Sequence, residues 1–454
     1  MVEFLYLCCA VAFIVGLKLL GRPSTARAGN RIAALGMLAA IVITLVSEDI
    51  VNWPIVVAGL AVGAVIGAAF AIRVQMTSMP EMVAAFNGFG GAASALVAAV
   101  AVVESDLDDL APETVVAIGI SLVIGTITLT GSFVAFGKLQ GILPGRPLVY
   151  RGQHVVNALL VLAMVGLGIW GGVTGEAAGY WAMAGIALVV GVLAVVPIGG
   201  ADMPVVISLL NSLSGLAAAA AGFAIESTAL IIGGALVGAA GLILTVLMTN
   251  AMNRSLANVL FAGFGTGEET IASAVGERPV KRATAEDVAI ALAYAESVMI
   301  VPGYGLAVAQ AQHALRELAD SLEEAGVRVH YAIHPVAGRM PGHMNVLLAE
   351  ADVPYEQLLD LEQSNPKFPQ TDVVLILGAN DVVNTSARDD TGSPIYGMPI
   401  LDVDRAGRVI VVKRSLSPGF AGIDNPLFYD DKTMMFFADA RAALEDTIAA
   451  LKTV

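Results

Sequence analysis

Apolar and polar positions divide this chain into two unlike parts. Up to about residue 250, apolar runs alternate with short polar breaks, near 3–20, 32–47, 54–72, 82–103, 114–136, 155–171, 179–197, 204–224 and 229–248. Most approach the roughly 20 residues a helix needs to cross a bilayer, so the pattern predicts a multi-pass helical membrane bundle of about nine helices. The first run is followed at once by charge instead of a small-residue cleavage pattern, which predicts a retained helix and no signal peptide. After a Gly-rich and charged stretch, Ala262-Gly-Phe-Gly-Thr-Gly-Glu-Glu, the pattern changes to short β-rich runs alternating with helical segments. That alternation predicts an α/β domain with a Rossmann-like, doubly wound parallel sheet. The expected division is a transmembrane domain over 1–250, a linker over 251–283 and an α/β domain over 284–454.

The strands expected in the second part are Val298–Val301, Val327–Ile333, Thr371–Leu377, Pro399–Val403 and Arg408–Val412. Thr284 reads as the N-cap of a helix, with Glu286 and Asp287 in its first turn, where negative charge complements the dipole. The run Val298–Val301 breaks at Pro302, turns through Gly303, Tyr304 and Gly305, and continues as a long Ala/Leu/Gln helix ending before Ser321. A strand, a glycine turn and a helix can present a helix N-terminus to a phosphate, although the same letters also describe an ordinary tight turn. In such a sheet a cofactor sits at the carboxyl ends of the strands. Those ends carry Pro302–Gly305, His334–His343, Gly378–Val382 and Lys413–Phe420. At the end of the second strand, where an acid would hold ribose hydroxyls, the chain offers His330, His334 and Arg339; Lys413, Arg414 and Ser415 stand at another strand end. Cations without the acid favour a 2′-phosphate, hence NADP(H) over NAD(H).

Charge orients the membrane part. Before the ninth run ends, Lys and Arg occur only at Lys18, Arg22, Arg27, Arg31, Arg73, Lys138, Arg146 and Arg151, after odd-numbered helices. The other connections carry Glu48, Asp49, Glu104, Asp106, Asp108, Asp109, Glu113, Glu176 and Glu226. The positive-inside rule then places the N-terminus outside and the C-terminal domain in the cytoplasm, with the bundle in the cytoplasmic membrane. Glycines at spacing four, Gly59-Gly63-Gly67 and those of Gly233–Gly241, let helix backbones approach, within this chain or toward another. Polar residues inside the spans are Glu81 and Asn87, then Asp202, Ser208, Asn211, Ser212 and Ser214, and Arg254 at the end of the ninth run. Ser208, Asn211 and Ser214 are spaced by three, so they share a face that either lines a wet path or bonds neighbouring helices. Asp202 and Arg254 form an ion pair or remain two solvated end charges.

Composition narrows the classes. Of 454 residues, 57% are hydrophobic and 14% charged, against about 25% charged in a soluble domain, so much of the surface faces lipid. A net charge of −15 leaves no basic surface for nucleic acid. Cys8 and Cys9 are adjacent in an apolar run, which supports neither a disulfide nor a metal site. With five His and two Cys, a single-polypeptide membrane oxidoreductase carrying haem, flavin or metal has little support. An NADP-sensing channel or transporter would share both domains without needing an NAD(H)-binding partner.

Long strings of this chain resemble the β subunit of proton-translocating nicotinamide nucleotide transhydrogenase. They include Ala201-Asp-Met-Pro-Val-Val, Asn211-Ser-Leu-Ser-Gly-Leu-Ala-Ala-Ala-Ala-Ala-Gly-Phe223, Ala251-Met-Asn-Arg-Ser255, Val301-Pro-Gly-Tyr-Gly305, Ile333–Glu350, Gly378-Ala-Asn-Asp381 and Asn425-Pro-Leu-Phe428. The resemblance implies NADP(H) bound by this chain, and NAD(H) bound by a separate α subunit that brings further membrane helices. It also implies a dimer of the assembled protomer and reversible hydride transfer, NADH + NADP+ to NAD+ + NADPH, coupled to proton movement. Such transfer needs no acid or base from the protein. The nucleotide lies reversed relative to the usual dinucleotide fold, so Gly303 and Gly305 need not hold the pyrophosphate. By position the contacts would be Tyr304; Val336, Ala337, Gly338, Arg339, Met340 and Pro341; Gly378, Ala379, Asn380 and Asp381; Lys413 through Gly419 and Phe420; and Asp439 with Ala440. Lys413, Arg414 and Ser415 would meet the 2′-phosphate, and Asp381 would link protonation to nucleotide binding. Asn87, Asp202, Ser208, Asn211 and Arg254 would serve the proton path and its coupling. Many members carry a titratable His where this chain has Asn87, so here the relay is expected to use water, Asn211 and its neighbours, or a His or acid of the partner subunit.

Overall fold

A computed structural model of the protein describes residues 2–47, 52–145, 147–253, 255–260, 279–340, 342–419 and 421–454. The glycine-rich linker at 262–269 and the site candidates Arg254, Pro341 and Phe420 lie outside the described residues. The chain forms two compact units, one essentially residues 2–246 and the other essentially 279–454.

The first unit is helical. Its long helices are α1 (Val2–Leu20), α2 (Pro23–Ser47), α3 (Trp53–Arg73), α4 (Met79–Glu104), α5 (Pro112–Leu139), α6 (Gln153–Thr174), α7 (Ala177–Val195), α8 (Met203–Ala224) and α9 (Thr228–Ala251). Among the described residues these nine are long and apolar enough to cross a membrane, as the hydropathy pattern predicts. A short α10 follows at Leu256–Leu260. Helices α3, α4, α5 and α8 begin with proline in the first turn, where its missing N–H costs nothing. Gly152 and Gly175, both at positive φ, bracket α6.

Packing centres on α4, α5 and α8. At Gly91 and Gly125 the backbones of α4 and α5 touch: a Cβ on Gly91 would stand 2.7 Å from the Gly125 carbonyl oxygen. Gly215 of α8 likewise lies against Gly234 and Gly238 of α9, so the Gly233–Gly241 stripe is used within the chain. The similar stripe Gly59, Gly63 and Gly67 has nothing within 4 Å, and no residue of α3 is buried. Spacing alone made the two stripes look equivalent.

The second unit is a seven-stranded parallel sheet in the order β1-β7-β6-β5-β2-β3-β4. The strands are β1 (Lys281–Arg282), β2 (Ser297–Pro302), β3 (Arg328–Ala332), β4 (Leu358–Leu359), β5 (Val373–Leu377), β6 (Arg408–Lys413) and β7 (Thr433–Phe437). Between them run α11 (Ala285–Ala293), α12 (Tyr304–Val308), α13 (Gln312–Glu324), α14 (His343–Glu350), α15 (Leu361–Ser364) and α16 (Ser386–Asp389), with α17 (Ala440–Leu451) after β7. Every residue of β5 is buried, which is why it reads as an unbroken apolar run. Thr284 caps α11 in a reciprocal capping box with Asp287. The core joins Met299, Val301, Val374, Ile376, Val409 and Val411 to Phe368, Leu427 and Phe428.

In the elements of the second unit the structure departs from the sequence pattern in three places. Pro399–Val403 is no strand, because β5 and β6 pair directly from Val373↔Arg408 to Leu377↔Val412 and leave no slot between them. The segment instead crosses the sheet ends, with the Leu401 N–H donating to the Val382 carbonyl at 2.9 Å and with Leu401 and Val403 buried. The long helix after Gly305 is two pieces, broken where Gln310 turns left-handed at φ 52, and Ser321 lies inside α13. Finally, β1, β4 and β7 were not anticipated; two of them are two-residue edge strands with no periodicity to read.

The α4–α5 contact predicts different outcomes at adjacent glycines. Gly91→Val should cost about 1–3 kcal/mol through overpacking, whereas Gly90→Ala, whose Cβ would meet nothing within 4 Å, should be neutral. Thermal unfolding midpoints in detergent check this.

Candidate functional site

In the second unit, β2 is the strand where the connections change direction: β3 and β4 lie to one side of it, and β5, β6 and β7 to the other. The crevice at a parallel sheet's carboxyl edge opens at such a switch point. Here the turns after β2 and β5 meet backbone to backbone. The Gly303 N–H donates to the Leu377 carbonyl at 2.9 Å, Gly305 N–H to Gly378 O at 3.0 Å, and Gly378 N–H to Val412 O at 3.0 Å. A Cβ on Gly305 would stand 2.7 Å from the Gly378 Cα, and Gly378 itself has φ 66. Close packing of the two turns therefore explains these glycines. The helix behind them, α12, is only five residues long, so the expected phosphate seat on a long helix N-terminus is not what this turn builds.

Around the edge, the loop after β3 winds tightly on two histidines. His334 Nε2 faces the Pro399 carbonyl at 2.8 Å while its Nδ1 accepts from the Val336 N–H at 3.3 Å, which fixes the Nε2–H tautomer. Burial pushes its pKa down to about 4, and only the Pro399 contact opposes this. His343 Nδ1 accepts from the Arg339 N–H at 3.0 Å, and burial, then the Arg339 charge, bring its pKa down to about 4. Its Nε2 is buried without a hydrogen-bond partner. Gly338, at φ 103, passes so close to His343 that a side chain there would collide with the ring. The Arg339 guanidinium stacks over the Tyr304 ring at 4.7 Å, and Tyr304 meets His343 edge-on at 6.3 Å between centroids.

The loops after β5 and β6 form a second cluster. The Asp381 carboxylate accepts from the Ala421 N–H at 3.0 Å and lies where any side chain on Gly419 would project. Lys413, at the end of β6, donates from Nζ to the Ser417 carbonyl and sits 4.9 Å over the Phe428 ring. With the Asn380 amide turned so that its oxygen faces them, Asn380 accepts from Lys413 Nζ at 3.1 Å and from Gly419 N at 2.7 Å. Burial lowers Lys413 to about 8, opposed by the charges of Asp381 and Asp424. Arg414 and Ser415, one and two residues on, are exposed. Buried Asn425 ties the cluster together: its Nδ2 donates to the Asn380 carbonyl at 3.2 Å, and its Oδ1 accepts from the Leu427 N–H at 3.1 Å. Asp439 caps α17 by accepting from the Arg441 N–H at 3.0 Å, and Ala440 is buried behind it.

In the helical unit, Asn87 joins three helices. Its Nδ2 donates to Ser132 Oγ of α5 at 2.9 Å, and its Oδ1 accepts from Ser214 Oγ of α8 at 2.7 Å. Ser208 turns instead toward α9, donating to the Gly241 carbonyl at 3.2 Å and accepting from Thr245 Oγ1 at 3.1 Å. The expected common face of Ser208, Asn211 and Ser214 is thus divided, because two steps of three residues accumulate a rotation of about 120°. Half-buried Asn211 lies between the two ends of that divided row. Asp202 is buried at the head of α8.

The family described as NAD(P) transhydrogenase beta subunit matches residues 2–450 of this chain. The protein named NAD(P) transhydrogenase subunit beta from Rhodospirillum rubrum is 47% identical over 454 residues, covering 98% of each chain. The same subunit from a designated strain of that organism matches equally, at 47% over 454 residues. The chain belongs to the NAD(P) transhydrogenase beta subunit family.

For this transhydrogenase family member, the structure corrects one step of the charge argument at the sheet edge. His330 lies within β3, paired in register with Met299, and burial lowers its pKa; His334 is neutral. Neither supplies positive charge, and the cations at the edge are Arg339, Lys413 and Arg414. In the sequence, Asn425-Pro426 stands among the strings shared with the family and carries no assigned role. An Asn before a proline is a capping signal, and it would have pointed to the 380–425 tie.

The histidines make a pH prediction. Folded pKa values near 4 lie below the unfolded value of 6.5, so the unfolded chain binds these protons first. Their contribution to stability is complete above about 6.5 and is lost as pH falls toward about 4. Denaturation midpoints followed across that window should decline, and His334→Gln should show a shallower decline than the wild type.

Proposed function

We propose that this chain is the NADP(H)-binding, membrane-spanning subunit of a proton-translocating transhydrogenase. With an NAD(H)-binding α subunit it supports reversible hydride transfer, NADH + NADP+ to NAD+ + NADPH, coupled to proton movement. The observation that carries the nucleotide assignment is exposed Arg414 and Ser415 beside Lys413 at the carboxyl end of β6, at a sheet edge whose β3 loop offers no acid to a ribose. Residues there fit a dinucleotide: the carboxyl ends of β2, β5 and β6 meet at the switch point, glycines let chain segments approach closely, and a buried His343 Nε2–H is left unsatisfied by the protein. The contacts we assign are Gly303, Tyr304 and Gly305, Val336–Pro341, Gly378–Asp381, Lys413–Ser415, Gly419, Phe420, and Asp439 with Ala440.

Nicotinamide supplies the hydride chemistry; the protein's part is to bind, orient and gate. Asp381, at the center of the 380–425 cluster, is the residue assigned to link protonation with nucleotide binding. In the membrane, Asn87, Asp202, Ser208, Asn211 and Arg254 are assigned to the proton path and its coupling. Asn87 cannot titrate and acts as a hydrogen-bonded knot, so the titratable relay group comes from a His or acid on the α subunit's helices. The N-terminus lies outside and the nucleotide domain in the cytoplasm, the protein sits in the cytoplasmic membrane, and the assembled protomer dimerises.

Calorimetry on the full chain in detergent tests the nucleotide assignment. NADPH should bind far more tightly than NADH, and Lys413→Ala/Arg414→Ala should cost about 3 kcal/mol, roughly 100-fold, toward NADPH alone. Equal affinity for the two nucleotides would overturn the 2′-phosphate assignment. Because the Lys413 ammonium is present below about 8 and lost above it, NADPH affinity should weaken from pH 7 to pH 9. Lys413→Arg should flatten that dependence.

A further inference from the structure

Lys138 lies in the last turn of α5 and is 5% exposed. Its Nζ donates to the carbonyls of Val196 and Ile198, each at 2.6 Å. A charged side chain this buried in an apolar bundle is costly unless its donors are used. Here one acceptor, Val196, is the C-cap of α7, where carbonyls lack partners within the helix and the dipole favours a cation, and the other, Ile198, lies just beyond it. Other bonds converge on the same place: Leu148 N–H donates to the Val196 carbonyl at 3.3 Å, and Gly200 N–H to the Gly145 carbonyl at 2.8 Å. The end of α5, the loop after it and the α7–α8 connection are thereby fastened together. The connection ends at Asp202, 6% exposed at the head of α8. Six residues before Lys138, on the same helix, Ser132 accepts the hydrogen bond from Asn87.

We infer that Lys138 is a positioning residue for proton coupling. Its ammonium clamps the α7–α8 connection to α5, so that rearrangement at the Asn87–Ser132 knot is passed along α5 to the turn that carries Asp202. The inference rests on the assignment of Asp202 to the coupling path.

The test uses the complete complex with its α subunit in proteoliposomes, measuring kcat for hydride transfer, KM for NADPH, protons moved per hydride and the thermal unfolding midpoint. Lys138→Gln keeps a donor but no charge; it should lower the midpoint modestly through the lost charge-assisted bonds, and lower proton-coupled kcat about tenfold with KM unchanged. Lys138→Arg, which keeps charge and donors, should recover most of the rate. Wild-type kcat and proton ratio in Lys138→Gln would overturn the inference, as would equal failure of both variants. Loss of assembly in Lys138→Gln with a wild-type Lys138→Arg would also overturn it, making Lys138 a staple of the fold. Asp202→Asn separates the two ideas. If it stays coupled, the Asp202 assignment fails; if it uncouples while Lys138→Gln does not, only the Lys138 inference fails.

Discussion

Backbones in this protein touch where a glycine leaves room, and in both units the polar architecture is built around such contacts. In the helical unit, Gly91 against Gly125 brings α4 and α5 to backbone distance. That approach lets short side chains such as Ser132 and Asn87 bond across the helices. In the sheet unit, Gly303 and Gly305 against Gly378 fuse the turns after β2 and β5. That contact fixes the floor of the carboxyl edge, around which the His334–His343 loop and the 413–425 cluster are arranged. A side chain at any of these positions would separate elements whose hydrogen bonds require them together.

Within the bundle, the scarcity of water favours internal partners for polar groups, and several of the bonds between helices run through α5. Ser121 bonds the carbonyls of Ser94 on α4 and Ala217 on α8, at 3.1 and 3.0 Å; Ser132 takes Asn87; and Lys138 takes the end of α7. Small hydroxyls suffice because the backbones are close. The α3 glycines, where an added Cβ would meet nothing within 4 Å, show that spacing permits such contacts without creating them.

At the sheet edge, burial decides which ionisable groups carry charge. His334 and His343 are neutral because each is enclosed and one ring nitrogen of each accepts a backbone N–H. Lys413 is half-buried against Phe428 and weakened as a cation, while its neighbour Arg414 stands in solvent. Adjacent basic residues of similar appearance thus differ in what each can offer an anion.

The sequence by itself determined the nine apolar helices, the parallel α/β sheet, the capping of α11 and the family, because these rest on local period, local caps and long matched strings. It located the strand ends that gather at the carboxyl edge. It could not show that Pro399–Val403 is excluded from the sheet, since that follows from β5 pairing directly with β6. Nor could it divide Ser208 from Ser214, distinguish the glycine stripe of α9 from that of α3, or reveal Lys138 as a clamp on α7. Each of those depends on which element lies opposite, a relation between residues far apart in the chain that only tertiary packing sets.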